Sequence, residues 1–144
     1  MATYWVSFRN IAPNVANDLG TLISATNRRI KLKAISAFSH GTTASTNQVV
    51  VSRSTAGTTP TIAAVPQATN ADLPAATFTT ATVWAVSPAL TAGAALTLDF
   101  GGNSGLNRLQ APIVTEIEAR NGECISIRPL NVGVNMTINC LVEE

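Results

Sequence analysis

Glu116 and Glu118 stand two residues apart in the alternating run Ile113–Ala119, which places both carboxylates on one face of a strand. Such a pair can serve glycoside hydrolysis. These two flank Ile117 and lie close to the Asn121-Gly122 turn, the setting of a solvated face. His40 is the single histidine and has no acid partner in any relay pattern. Ser104 lies outside a G-x-S-x-G elbow. Asp99-Phe100-Gly101 spells the magnesium triplet of kinases, but no glycine-rich phosphate loop accompanies it, and 144 residues are too few for a kinase. Cys124 and Cys140 match no zinc spacing, and His40 alone cannot complete a ligand set. Catalysis needs titratable groups that converge, and only 12% of the chain is charged. The expectation is a protein that is not an enzyme and uses no metal or cofactor.

Binding chemistry is also sparse. Tyr4, Trp5 and Trp84 could stack on a sugar, although Trp in a chain with 5% aromatic residues is more often core or subunit interface. Arg28, Arg29, Lys31 and Lys33 form the one basic cluster. With a net charge of +1 it gives little support to nucleic-acid binding. Asn135-Met136-Thr137 is a glycosylation sequon that matters only on a secretory route. The start, Met1-Ala2-Thr3-Tyr4-Trp5, has neither the basic nor the apolar region of a secretory signal. The most apolar stretch, Val83–Phe100, is broken by Ser87, Pro88, Thr91 and Gly93, so no membrane helix is expected. The reading is a soluble protein made in a cytoplasm. Low charge favours association.

The elements that would position these residues are strands. Hydrophobic residues reach 46%, enough for the core of one domain over residues 1–144. Apolar and polar residues alternate along Thr3–Asn10, Arg29–Phe38, Ile113–Ala119, Cys124–Arg128 and Asn135–Val142, and further strands are expected at Gln48–Ser54, centred on Val49, Val50 and Val51, at Thr79–Ala85 and at Ala95–Phe100. Leu19–Ser24 is ambiguous between strand and helical turn. In Arg29–Phe38 the pattern puts Ile30, Leu32, Ala34 and Ser36 in one row and Arg29, Lys31 and Lys33 in the other. Residues 54–82 form a Thr/Ala/Pro-rich excursion in which Pro60, Pro66 and Pro74 exclude central strands. In the strand from Cys124, Ile125 and Ile127 share one face. Cys124 falls on the other, away from a core that receives Cys140, so free thiols are favoured over a disulfide. Eight to ten short strands without a helical period predict an all-β fold: an antiparallel sandwich, jelly-roll-like.

The order of these segments resembles a known group. An Arg-x-Ile-x-Leu-like strand lies at Arg28–Leu32. Val51-Ser52-Arg53 runs into Gly57-Thr58-Thr59-Pro60-Thr61. Asp72–Ala76, the Ile117–Glu123 turn and the ending Val142-Glu143-Glu144 follow. Together they are similar to small virion proteins of tailed bacteriophages and prophages, including capsid decoration, or cement, proteins. The resemblance implies a β-sandwich without enzymatic activity, often a homotrimer, bound to the major capsid protein on the outside of a shell. A neck, tail or fibre site and a host-glycan-binding module are the alternatives. Partner contacts are expected from two segments. The first is Thr3–Arg9, with Tyr4, Trp5, Val6 and Phe8, read as an arm whose loss would abolish shell binding and leave most of the sandwich folded. The second is the Pro-rich part of the excursion, Gly57–Pro74, with Thr58, Pro60, Pro66 and Pro74.

Overall fold

The computed structural model describes residues 2–42, 46–62, 66, 72–101 and 108–144, with the backbone alone for 92–95, 100–101 and 108–116. Its elements are the strands β1 (Thr3–Ile11), β2 (Gly20–Ile23), β3 (Arg29–Ser39), β4 (Thr46–Ser54) and β5 (Thr58–Ile62). They continue as β6 (Thr79–Val86), β7 (Leu90–Gly101), β8 (Arg108–Arg120), β9 (Cys124–Pro129) and β10 (Met136–Glu143). The protein is all-β.

The pairing follows one rule. β1 pairs with β10, β2 with β9, β3 with β8, β4 with β7 and β5 with β6, always antiparallel. The chain is therefore one long hairpin whose tip lies between β5 and β6. The hairpin is then rolled, because β10 also pairs with β3, β9 with β4, and β2 with β6. Rolling splits it into a sheet of order β1-β10-β3-β8 and a sheet of order β5-β6-β2-β9-β4-β7. Without the β5–β6 tip, the eight remaining strands form a jelly roll.

A two-residue period supplies the core. In β1, Tyr4, Val6 and Phe8 point in, while Thr3, Trp5, Ser7 and Arg9 point out. Alternate residues of β10, namely Met136, Ile138, Cys140 and Val142, do the same. They meet Leu22, Val49, Val51, Leu98, Ile125 and Ile127 of the facing sheet. Gly20 permits close approach of the two sheets at their rim: a Cβ there would lie 2.4–2.5 Å from the Phe8 ring. Asn121 and Gly122, both at positive φ, make the tight turn between β8 and β9 that their sequence predicts.

The structure corrects several sequence-based expectations. Residues 19–24 are too short for a period to decide. Pairing on both sides, with β6 and β9, makes Gly20–Ile23 a strand. The alternation in β3 breaks at Lys33, where the register shifts against both β10 and β8. After this bulge Ile35 and Ala37 face the core, and Ala34 and Ser36 face away from it. Cys124 does lie opposite Ile125, but it is buried there with Ala81, Trp84 and Ile23, because β6 lies beside β2 and brings Trp84 over that face. Both thiols are free.

The arm and the excursion are less separable than expected. Three side chains of β1 belong to the core, so removing Thr3–Arg9 would open the sandwich. Residues 54–82 contain the edge strand β5, where Pro60 is tolerated because no strand lies beyond it. They also contribute Ala76 and Phe78 to the core. Phe78 meets the Tyr4 ring edge-on at 5.5 Å.

Candidate interaction surface

The titratable residues whose side chains are described do not converge on one point. Among the described residues, no three His, Cys, Asp or Glu side chains gather as a metal site would require. Glu118 lies 3.6 Å from the Arg29 guanidinium. In register, Lys31 sits between Glu118 of β8 and Glu143 of β10. The basic cluster is thus part of a strip of alternating charge, which favours cross-strand attraction over a phosphate-binding face. The Glu116 side chain and Ser104 lie outside the described residues. His40 is exposed, with its ring edge-on to Phe38 at 5.1 Å and its Nε2 2.7 Å from the Thr137 hydroxyl. The Asn135 amide donates to Asn10 Oδ1.

The two tryptophans have opposite fates. Trp84 is 6% exposed, and its Nε1 donates to the Thr21 hydroxyl at 3.0 Å. That hydroxyl donates to Asp18 Oδ2 at 2.6 Å. Asp18 Oδ1 in turn accepts from Arg128 Nε at 2.8 Å and lies 2.8 Å from Nη2 in an ion pair, and Arg128 Nη2 donates to the Pro88 carbonyl. This chain of bonds ties the β1–β2 connection, β9 and the β6–β7 turn over the outer face of the six-stranded sheet. Trp84 is therefore a structural residue and is not available to stack on a ligand.

Trp5 is 51% exposed. With Ser7, Arg9, Ala34, Ile35, Ser36 and Asn139 it lines a shallow hollow of about 360 Å³ on the four-stranded sheet. The Asn139 amide donates to the Ser36 hydroxyl across that hollow. The remaining expected contact residues divide by position. Tyr4, Val6 and Phe8 turn their side chains into the core, and the Tyr4 hydroxyl donates to the Pro74 carbonyl. Pro66 is buried, and its carbonyl accepts from Ala76 N. Thr58 and Pro74 are exposed, and Pro60 is half-buried on β5.

The sequence reading missed exposed apolar residues on the hairpin tip: Ile62, Val83 and Val86 are 49%, 57% and 61% exposed. A signal was present: Val83-Trp84-Ala85-Val86 carries apolar side chains on both faces of one strand, as Tyr4–Phe8 does.

The open edge of β1 has a defined phase. Ala2 and Glu144 exchange both backbone hydrogen bonds, at 3.1 and 3.0 Å. In an antiparallel ladder the paired residues alternate between bonded and non-bonded. The register makes Tyr4–Val142, Val6–Cys140 and Phe8–Ile138 the bonded pairs that follow. Thr3, Trp5 and Ser7 consequently turn their N–H and C=O groups away from β10. Since β1 is the last strand of its sheet, those groups face outward.

No family model, curated protein or solved structure matches the chain.

Proposed function

We propose that the protein is a non-enzymatic structural component of a bacteriophage virion that decorates or cements the capsid shell. The observation that carries this reading is the rolled-hairpin jelly roll, an architecture that serves viral shells among other roles. Supporting it, the ionisable side chains described are dispersed along the strands or tied into Asp18–Arg128 and Arg29–Glu118 pairs. What the protein offers its partners is an open edge at β1, suited to a second copy of the chain, and apolar side chains on the β5–β6 tip, next to Thr58 and Pro60, suited to the shell. Neither needs to be large, because an oligomer that meets several shell subunits at once binds by avidity. The test is to purify virions of the encoding phage and locate the protein by cryo-electron microscopy. Density for this jelly roll on the outer shell supports the proposal, and its absence from the shell overturns it.

A second reading rests on the Trp5 hollow. An exposed indole beside Ser7, Ser36, Asn139 and Arg9 provides a stacking face with polar groups at its rim, as a glycan-binding module requires. Glycan-array binding abolished by Trp5→Ala with the fold intact would favour that reading.

A further inference from the structure

The two sheets have four edge strands, and they differ in how they are protected. β5 is five residues long, contains Pro60 and shifts register between Thr61 and Ile62. β7 carries Asp99, and its register shifts opposite Ser52–Ser54. β8 contains Pro112, carries Arg108, Glu116, Glu118 and Arg120, and shifts register at the Lys33 bulge. Such features keep exposed edges from pairing with other chains. β1 has them only at its far end, where the register shifts between Phe8 and Ile11 and Asn10 takes a positive φ. From Thr3 to Phe8 the strand is regular, contains no proline and bears no charge. Its outward backbone groups belong to Thr3, Trp5 and Ser7, residues whose side chains also lie on the solvent face.

We propose that this edge pairs with the same edge of a second copy of the chain, antiparallel, about a twofold axis through Trp5. The position of the axis follows from the phase. Residues with free backbone groups must meet one another, and only residues 3, 5 and 7 supply them within the regular stretch. Centring on Trp5 uses all three: Trp5 opposes Trp5, and Thr3 opposes Ser7. Shifting the axis to Ser7 would bring Arg9, within the irregular stretch, against Trp5 and forfeit regular bonds. The two half-exposed indoles then lie side by side on one face, an aromatic cross-strand pair. The uncharged Thr3–Phe8 segments meet without repulsion. The product is a continuous sheet of twice four strands. Because an antiparallel pair of identical strands is an isologous contact, the assembly closes as a dimer. A trimer would have to be built through another surface. This pairing does not depend on where the assembled protein resides.

Single cysteines at the three outward positions read the register directly. In a hydrogen-bonded antiparallel pair, opposed Cα atoms lie about 5.5 Å apart, within the span of a disulfide. Cys124 and Cys140 are buried and do not compete. Sedimentation of the wild-type chain at tens of micromolar should show a dimer. Under mild oxidation Trp5→Cys should crosslink about tenfold faster than Thr3→Cys or Ser7→Cys, whose self-distances exceed that span. Trp5→Lys opposes two like charges and should sediment as a monomer with an unchanged far-ultraviolet circular dichroism spectrum. A wild-type chain that stays monomeric overturns the proposal. So does a crosslink formed faster at position 7 than at position 5, or a Trp5→Lys variant that remains a folded dimer.

Discussion

Phe8 and Gly20 test the account of how the two sheets close at their rim. Phe8 projects from the edge of one sheet onto the backbone of β2 in the other. Replacing the ring in Phe8→Ala removes a buried aromatic side chain and should cost about 3–5 kcal/mol. Replacing the glycine acts from the opposite side. The new methyl in Gly20→Ala would sit 2.4–2.5 Å from ring carbons Cγ, Cδ1 and Cδ2, so ring or strand must move. Overpacking of this kind costs about 1–3 kcal/mol, offset by roughly 0.5–1 kcal/mol from the stiffer unfolded chain. Combined, the two changes should not add. With the ring gone the methyl has room, and Phe8→Ala/Gly20→Ala should be no less stable than Phe8→Ala alone. The coupling should be roughly 2 kcal/mol and favourable, within the range of residues in contact. Urea unfolding followed by far-ultraviolet circular dichroism measures all four corners of the cycle, provided the slope with denaturant is unchanged. Additive losses would refute the reasoning, since they would mean the ring does not lie over Gly20.

Two further outcomes follow from buried polar groups. Asp18→Ala leaves the Arg128 guanidinium, whose side chain is 18% exposed, without its carboxylate, and should cost about 3 kcal/mol in a thermal or urea melt. Asp18→Leu/Arg128→Met, which removes both charges, should regain most of that loss. Burial pushes the Cys140 thiol up to about 12, and burial, with the Asp18 and Glu123 carboxylates, does the same for Cys124. The folded state therefore holds these protons more tightly than the unfolded chain. Its advantage is whole below the ordinary thiol range and is lost as pH rises from about 9 towards about 12. A thiol reagent at pH 8 should label neither cysteine until denaturant is added, and Cys140→Ala should lessen the alkaline loss of stability. Rapid labelling of the native protein would contradict the burial of both thiols.

Strands were legible in the sequence wherever a side chain had to choose between two faces. β1 and β10 announce themselves by alternation because one side of each meets the core and the other is more exposed, and β3 does so up to Lys33. Three kinds of feature were not legible, for distinct physical reasons. The Lys33 bulge inserts one residue without changing composition, so Ala34 and Ser36 seem to continue the row of Ile30 and Leu32 when they have crossed to the other face. The burial of Cys124 depends on β6, whose first strand residue, Thr79, lies more than forty positions earlier in the chain; nothing near Cys124 encodes Trp84. The partner of each strand is also set at long range, since β1 and β10 occupy opposite ends of the sequence.

The excursion shows how the candidate surface escaped a purely local reading. The prolines of residues 54–82 argue against central strands there, yet Pro60 lies in the edge strand β5, because the tip of the rolled hairpin extends past the eight-stranded body and gives β5 a free side, and the segment's last residues, from Thr79, open β6, which pairs with both β5 and β2. That extension also decides which aromatic residue can meet a partner. It lays Trp84 against Thr21 and Cys124 on the six-stranded sheet, whereas the four-stranded sheet has no comparable addition and leaves Trp5 uncovered. The two tryptophans occupy similar alternating strands, Tyr4–Phe8 and Thr79–Val86, and composition alone treats them alike. Only the unequal widths of the sheets separate a structural indole from an available one. The same inequality leaves β1 as a bare outer strand, so the exposed ring and the unpaired backbone groups coincide at Trp5. A partner that satisfies the backbone of β1 must therefore also settle beside that ring.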